Sequence, residues 1–315
     1  MQHHSRCCIS QLEARKVRYN KRLKRRHIEE IFYGYAFMMP FLLSITIFLI
    51  GPIIYAFIIS FKDFSFLNPE ASKWVGLKNY IQIFHDATFK KALINTTIYS
   101  IFVVPIQLII ALLLSLVIDS DIKGKTFFRV AYYIPTVTST VAISVIFLYL
   151  FKADGLINSI LLKFGLHGPT WFNSVKFALP SIMIMAIWSS VGNYMIIFLA
   201  GLQDIPADLY EAADVDGANK FVKFFHITLP MLKPVIFFNL VMSLIGTFQV
   251  FDQAYVVSNG SGGPLDATMT IVLYIYNTGF KDFNMGYASA MAFVLFAIIL
   301  FLTLVQRMLF REENY

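Results

Sequence analysis

The sequence predicts an all-α integral membrane protein with six transmembrane helices, on three observations. Of the 315 residues, 57% are hydrophobic and 16% aromatic, and the mean hydropathy is +0.66. Only 14% are charged, well under the roughly 25% usual in soluble domains. The apolar residues are gathered into six blocks, and a strongly basic segment precedes the first of them.

Runs of about 17 to 25 apolar residues are long enough to cross a bilayer as a helix. The six predicted spans are 33–60, 94–118, 128–151, 178–200, 235–257 and 284–306. The first is long for a bilayer and carries Pro40 and Pro52, so a tilt or kink is expected there. Residues 1–30 form a basic tail, and 31–315 one transmembrane domain. The tail holds Arg15, Lys16, Arg18, Lys21, Arg22, Lys24, Arg25 and Arg26. Basic residues flanking a first span place that flank in the cytoplasm. The membrane flank explains the run without a nucleic-acid partner, and none is expected. The first apolar block is too long for a signal h-region and no small-x-small site follows it, so no cleaved leader is expected. Cys7 and Cys8 are adjacent and exclude a disulfide framework.

Six spans put both termini on the cytoplasmic side. Under that topology 17 of the 26 Lys and Arg residues are inside and nine outside, as the positive-inside rule requires. The outer loops 61–93 and 152–177 mix aromatics with Gly and Pro ("WVGLKNYIQIF", "GLHGPTWF"), as interfacial segments do. The third, 258–283, contains an apolar run too short to span, and an interfacial or re-entrant helix is expected.

The cytoplasmic segment 202–233 reads as helix, turn, helix. Pro206 suits a first helical position, with Asp208 in the first turn. Gly217 permits a backbone turn that a residue with a Cβ resists. A second short helix runs from Asn219 to about Ile227, and Pro230 and Pro234 mark entry into the next span. By spacing alone, a solvated connector is the favoured reading of this segment.

Polar side chains within a span are costly and usually face the bundle interior. In the fourth span Ser189, Ser190 and Asn193 share one helical face. In the fifth, Ser243, Gly246, Gln249 and Asp252 lie roughly one turn apart, with Thr247 and Gln253 beside them. These stripes line a solute pathway or hydrogen-bond between helices; Asp252, near the outer end, contacts solute or reaches water. No acidic residue occupies the centre of a span, which argues against an ion-coupled secondary transporter. The acids Asp119, Asp121, Asp214 and Asp216 read as solvated loop charges. No His/Cys cluster offers a metal site, and no catalytic residue is expected. Gly124-Lys125-Thr126 is a Walker-like fragment without the first glycine or a preceding strand, so it is not read as a nucleotide site.

One motif raises the connector above a plain loop. Glu211-Ala212-Ala213 is followed after three residues by Gly217, and after nine more by Ile227-Thr228-Leu229-Pro230. This resembles the EAA loop of the permease subunits of bacterial ABC importers, spacing for spacing. Val75-Gly76-Leu77-Lys78-Asn79-Tyr80, "GTFQVFDQAYVVSNGSGGP" at 246–264 and "NMGYASAMAFVLF" at 284–296 are similar to the carbohydrate-uptake branch. The long first span resembles the first of two permeases in such systems.

The resemblance implies a type I ABC importer permease with a cytoplasmic EAA coupling-helix loop, in a bacterial plasma membrane. Glu211, Ala212, Ala213, Gly217, Ile227, Leu229 and Pro230 then contact a cytoplasmic ATPase. The chain binds no cofactor, and ATP and Mg belong to that ATPase. The implied partners are a second permease, two ATPase subunits, an extracytoplasmic sugar-binding protein and membrane lipid. The cargo is a sugar held near Ser189, Ser190, Asn193, Ser243, Gly246, Gln249 and Asp252. A monosaccharide, an oligosaccharide and glycerol-3-phosphate stay open, although no basic stripe in the spans favours a phosphate.

Overall fold

The computed structural model describes residues 32–120 and 123–310. The basic tail with Cys7 and Cys8, together with Asp121 and Arg311, lies outside the described residues. Five helices have the length and composition of membrane spans: Phe32–Ile59, Ala87–Asp119, Ala178–Gln203, Lys233–Ser258 and Met285–Leu309. A bent pair, Lys125–Val137 and Thr140–Leu150, makes the sixth. These are the first, second, fourth, fifth, sixth and third spans in chain order. The described residues form two units, divided between Ile58 and Ile59.

The first unit is one helix. Pro52 lacks an N–H, so the carbonyl four residues earlier loses its donor. The helix widens into a π-turn at Thr46–Ile50 just before that proline, a local remedy for such a gap.

The second unit holds the other spans. A small antiparallel hairpin, Lys62–Asp63 with Lys73–Trp74, follows the first helix. Its backbone is clasped by Asn79, which is buried and donates to the Ser60 and Lys62 carbonyls at 2.9 and 3.0 Å. The second span begins at Ala87 with Asp86 as its cap. One oxygen of Asp86 accepts from the backbone of Thr88 (2.8 Å) and Phe89 (3.1 Å). The other accepts from the hydroxyls of Tyr274 (2.6 Å) and Tyr287 (2.8 Å). Burial pushes the Asp86 carboxyl up, but these four donors outweigh it and hold the group below its ordinary value.

A depressed carboxylate pKa adds stability above the unfolded-state value, and that stability is lost as pH falls through the folded value. Asp86→Ala is therefore expected to cost about 1–3 kcal/mol, from a lost cap and two hydroxyls left without an acceptor. Thermal unfolding of the purified protein at neutral pH measures the loss. The gap between wild type and variant narrows below about pH 4; a gap independent of pH excludes the charge as its cause.

The third span departs from the single helix expected over 128–151. Its two halves meet at 98°. The cause is local: the run Thr136-Val137-Thr138-Ser139-Thr140 is β-branched or hydroxyl-bearing, and such side chains compete with the helical ladder. Thr138 donates its hydroxyl to the Ile134 carbonyl at 2.8 Å and its own backbone is extended. The fifth span is interrupted as well. One helix ends at Phe248 and another starts at Asp252, so Gln249 and Asp252 do not continue the helical face of Ser243 and Gly246.

The core lies where the second and fourth spans pack, around Ile182, Met185, Met195 and Phe198, with Met291 from the sixth. The third span approaches the fourth closely at Gly192, where an added Cβ would lie 2.1 Å from the Tyr132 carbonyl oxygen. The apolar run in 258–283 is too short to span, as expected, and packs partly into the core. Its helix Ile271–Tyr276 carries Ile271 and Leu273 in the core. Asn95 donates to the carbonyls of Asp266 (2.7 Å) and Met269 (2.9 Å), and Thr96 accepts from the Ile271 N–H (3.1 Å). Those bonds supply the partners that a buried loop backbone requires.

Candidate functional site

The polar positions of the fourth and fifth spans converge on one cavity of about 300 Å³. Its lining includes Ser189, Ser190, Ser243, Gly246, Gln249 and Asp252, with Gln253 and Phe251 beside them. The interruption at Gln249–Phe251 turns the chain across the cavity mouth, so residues beyond the helix end still face it. Asp252 and Gln249 are exposed there, whereas Ser243 is fully buried at the base. Asn193 is a correction. It is exposed on the fourth span and does not belong to the lining. A helix rotates about 100° per residue, so four steps return position 193 to within about 40° of Ser189; Asn193 stays outside the lining although the helical wheel places it on the same face.

Gln107 was missed by sequence reasoning. It lies mid-way along the second span, 2% exposed, and lines the cavity. It accepts from the Ser190 hydroxyl and donates to the Ser243 hydroxyl, so one amide joins three spans. Beside it Ser100 bonds Thr247 at 2.8 Å. An amide within the aliphatic stretch 101–114 of a 33-residue helix is a signal that the cost of intramembrane polarity makes readable. Hydrogen bonding between helices and cavity lining, alternatives at the sequence level, are here combined in the same side chains. Two larger recesses, about 460 and 650 Å³, are lined mainly by apolar residues, the smaller also by Lys91, Asn95 and Lys176.

At the other end of the fifth span lies the Glu-Ala-Ala segment. A helix runs from Ala207 to Val215 without a buried residue; Pro206 caps it, one position earlier than expected. Gly217 has φ +74°. Its N–H bonds the Asp214 carbonyl at 3.1 Å and the Ala218 N–H bonds the Ala213 carbonyl at 2.9 Å. These two bonds make a Schellman turn, which needs a left-handed residue where Gly217 stands. Asn219 then caps a new helix by accepting from the Val222 N–H at 2.9 Å. That helix does not stop at Ile227. It passes through a π-turn at Phe224–Thr228 and Leu229–Met231 into Lys233–Phe248, the widening sitting just before Pro230 as it does before Pro52.

Lys223 pairs with Asp214, and Tyr210 bonds Thr228 at 2.8 Å. These contacts tie the short helix to the foot of the fifth span. Glu211, Ala212, Gly217 and Pro230 are exposed, while Ala213, Ile227 and Leu229 are half-buried. The helix from Lys233 to Phe248 is 16 residues long, so roughly 24 Å of rigid backbone connects this segment to the cavity wall.

Cavity, broken fifth span and exposed Glu-Ala-Ala helix together define a membrane permease subunit. The chain belongs to the binding-protein-dependent transport system inner membrane component family, whose model matches residues 90–313. It is 38% identical over 285 residues to the probable ABC transporter permease protein YesP of Bacillus subtilis (strain 168), covering 90% of each chain. It is 39% identical to the arabinooligosaccharides transport system permease protein AraP of the same organism, over 88% of this chain and 89% of that one. The lactose transport system permease protein LacF of Rhizobium radiobacter is 34% identical, over 89% and 95%. In fold, the chain is similar to a solved chain from a bacterial alginate ABC transporter in complex with an alginate pentasaccharide-bound periplasmic protein. That match has a TM-score of 0.78, 23% identity, and 91% and 96% coverage.

Proposed function

We propose that this chain is one permease subunit of an ATP-driven sugar importer, supplying half of the pathway and coupling it to a cytoplasmic ATPase. The observation that carries this reading is the gathering of two polar stripes from separate spans around one cavity, with the Glu-Ala-Ala helix fixed to the far end of the same wall. A sugar requires donors and acceptors matched to its hydroxyls and a flat apolar face. Ser189, Ser190, Gln249 and Asp252 supply the first, and Phe251 the second. Relatives named for arabinooligosaccharide and lactose transport favour a carbohydrate, and a glycerol-3-phosphate permease relative keeps a second cargo in view. The lining named above contains no Lys or Arg, which disfavours a phosphate.

In this reading both termini are cytoplasmic. A second permease completes the pathway, an extracytoplasmic binding protein delivers the sugar, and two ATPase subunits hold ATP and Mg. ATP can drive the cycle only if the ATPase contacts the 207–217 helix differently in its two states.

The cavity is testable by a single thiol. An added Cβ at Gly246 meets nothing within 4 Å, so Gly246→Cys fits the wall without strain. With Cys7 and Cys8, the two native cysteines, changed to Ser, it is the sole thiol of the chain. Alkylation of Cys-substituted 246 in the assembled transporter is expected to slow several-fold when arabino-oligosaccharide is added with its binding protein. Unchanged alkylation during demonstrated import rules this cavity out as the path.

A further inference from the structure

The cavity does not end at its mouth. Phe251, which lines it, lies 5.3 Å from Tyr255 and 5.1 Å from Tyr276, ring centroid to centroid. Tyr276 lies 5.2 Å from Phe280 in a stacked arrangement, and Tyr255 meets Tyr276 edge-on at 5.5 Å. The four rings therefore form an unbroken series leading away from the cavity, ending at Phe280, 60% exposed. They come from two separate segments, residues 251–258 and the run Ile271–Lys281.

The series is braced. Lys281 places its ammonium 5.6 Å from the Tyr255 ring centre and donates to the Gly260 carbonyl at 3.0 Å. Asn277 donates to the same carbonyl at 2.9 Å. The Gly260 turn, with φ +74°, is thus held by both segments.

Apolar burial explains only the inner part of this arrangement: Phe251 and Tyr255 pack against the core, whereas Tyr276 is half-buried and Phe280 exposed. An aromatic ring presents a negative face, on which the weakly positive C–H edges of a sugar stack while the hydroxyls stay free. We infer that Phe251, Tyr255, Tyr276 and Phe280 form an aromatic lane that carries successive units of an oligosaccharide to the cavity. Lys281 and Asn277 act as positioning residues. The lane rests on the sugar-permease reading and extends it: the cargo class is an oligosaccharide long enough to occupy cavity and lane together, and a single sugar unit gains little from the outer rings.

The test uses the complete transporter in proteoliposomes, with arabino-oligosaccharides of graded length and lactose as probes. Phe280→Ala is the leading variant because its exposed ring contributes little to folding. It is expected to raise the half-saturating concentration about two- to tenfold for the longer oligosaccharides. The effect should fade toward lactose, and Phe280→Tyr should restore wild-type values. Tyr276→Ala should act in the same direction, and more strongly when combined.

If Phe280→Ala imports all lengths as the wild type does, the lane is overturned and the permease reading stands. An equal loss for every length, not restored by Tyr, assigns Phe280 to structure and overturns the lane as well. Failure of the wild type to import any of these sugars, in an assembly that hydrolyses ATP, overturns the sugar reading and the lane with it. A Phe280→Cys thiol that an impermeant reagent cannot reach in the assembled transporter shows the ring covered by a partner, which also overturns the lane.

Discussion

Gly217→Val is expected to abolish sugar-stimulated ATP hydrolysis by the assembled transporter while leaving the spans inserted. Gly217 sits at φ +74°, where a β-branched residue is strongly disfavoured. An added Cβ there meets nothing within 4 Å, so the effect arises from backbone strain and not from a clash inside this chain. That strain is about 1–3 kcal/mol, comparable to what the two bonds of the Schellman turn supply. Relieving it means opening the turn and changing the angle between the helix Ala207–Val215 and the fifth span. In the proposed assembly a misaligned helix loses its fit to the ATPase. Glu211→Lys reverses charge on the exposed face and should weaken the same contact. Co-purification of the ATPase with each variant, together with sugar-stimulated hydrolysis, measures both. Normal values for the two variants would reduce residues 207–217 to a connector.

The largest stability effect is expected at Gly192. An added Cβ would lie 2.1 Å from the Tyr132 carbonyl oxygen and 3.0 Å from the Thr136 hydroxyl, and backbone cannot swing aside as a side-chain end can. Thr136 also donates to the Ser189 carbonyl at 3.1 Å across the same crossing, so separating the helices breaks that bond. Gly192→Val should cost about 1–3 kcal/mol or more, seen as a fall of several degrees in the unfolding midpoint in detergent. Because Ser189 and Ser190 stand one turn from the crossing, sugar import should fall beyond what the lost protein explains. An unchanged midpoint would mean that the third and fourth spans do not cross at this glycine.

What the sequence made legible and what it hid have physical causes. Six apolar blocks were readable because the cost of exposing a backbone in lipid forces long apolar helices. The turn at Gly217 was readable because only glycine takes that conformation readily. The bend at Thr138 was hidden, since hydropathy records composition and not the competition of hydroxyls for carbonyls. The break at Gln249 was hidden too, as no proline or glycine marks it between Phe248 and Asp252.

Asn193 shows the limit of face arithmetic: it shares the angular face of Ser189 and Ser190 and is still exposed outside the cavity. Gln107 shows the converse, a residue passed over as one polar atom set in an apolar run that turned out to join three spans. The stretches that resembled the family are explained by packing as much as by transport. Asn79 clasps the hairpin backbone, and Tyr287 bonds Asp86. An added Cβ at Gly286 would meet the Lys62 carbonyl at 2.1 Å.

The most direct test is uptake of labelled arabino-oligosaccharide into proteoliposomes holding this chain with its second permease, ATPase and binding protein. The expected result is uptake that requires ATP on the ATPase side, stops when ATP is withdrawn with ion gradients intact, and is lost in Gly217→Val. Uptake that persists without ATP on an ion gradient alone would contradict the assignment of this chain to an ATP-driven importer.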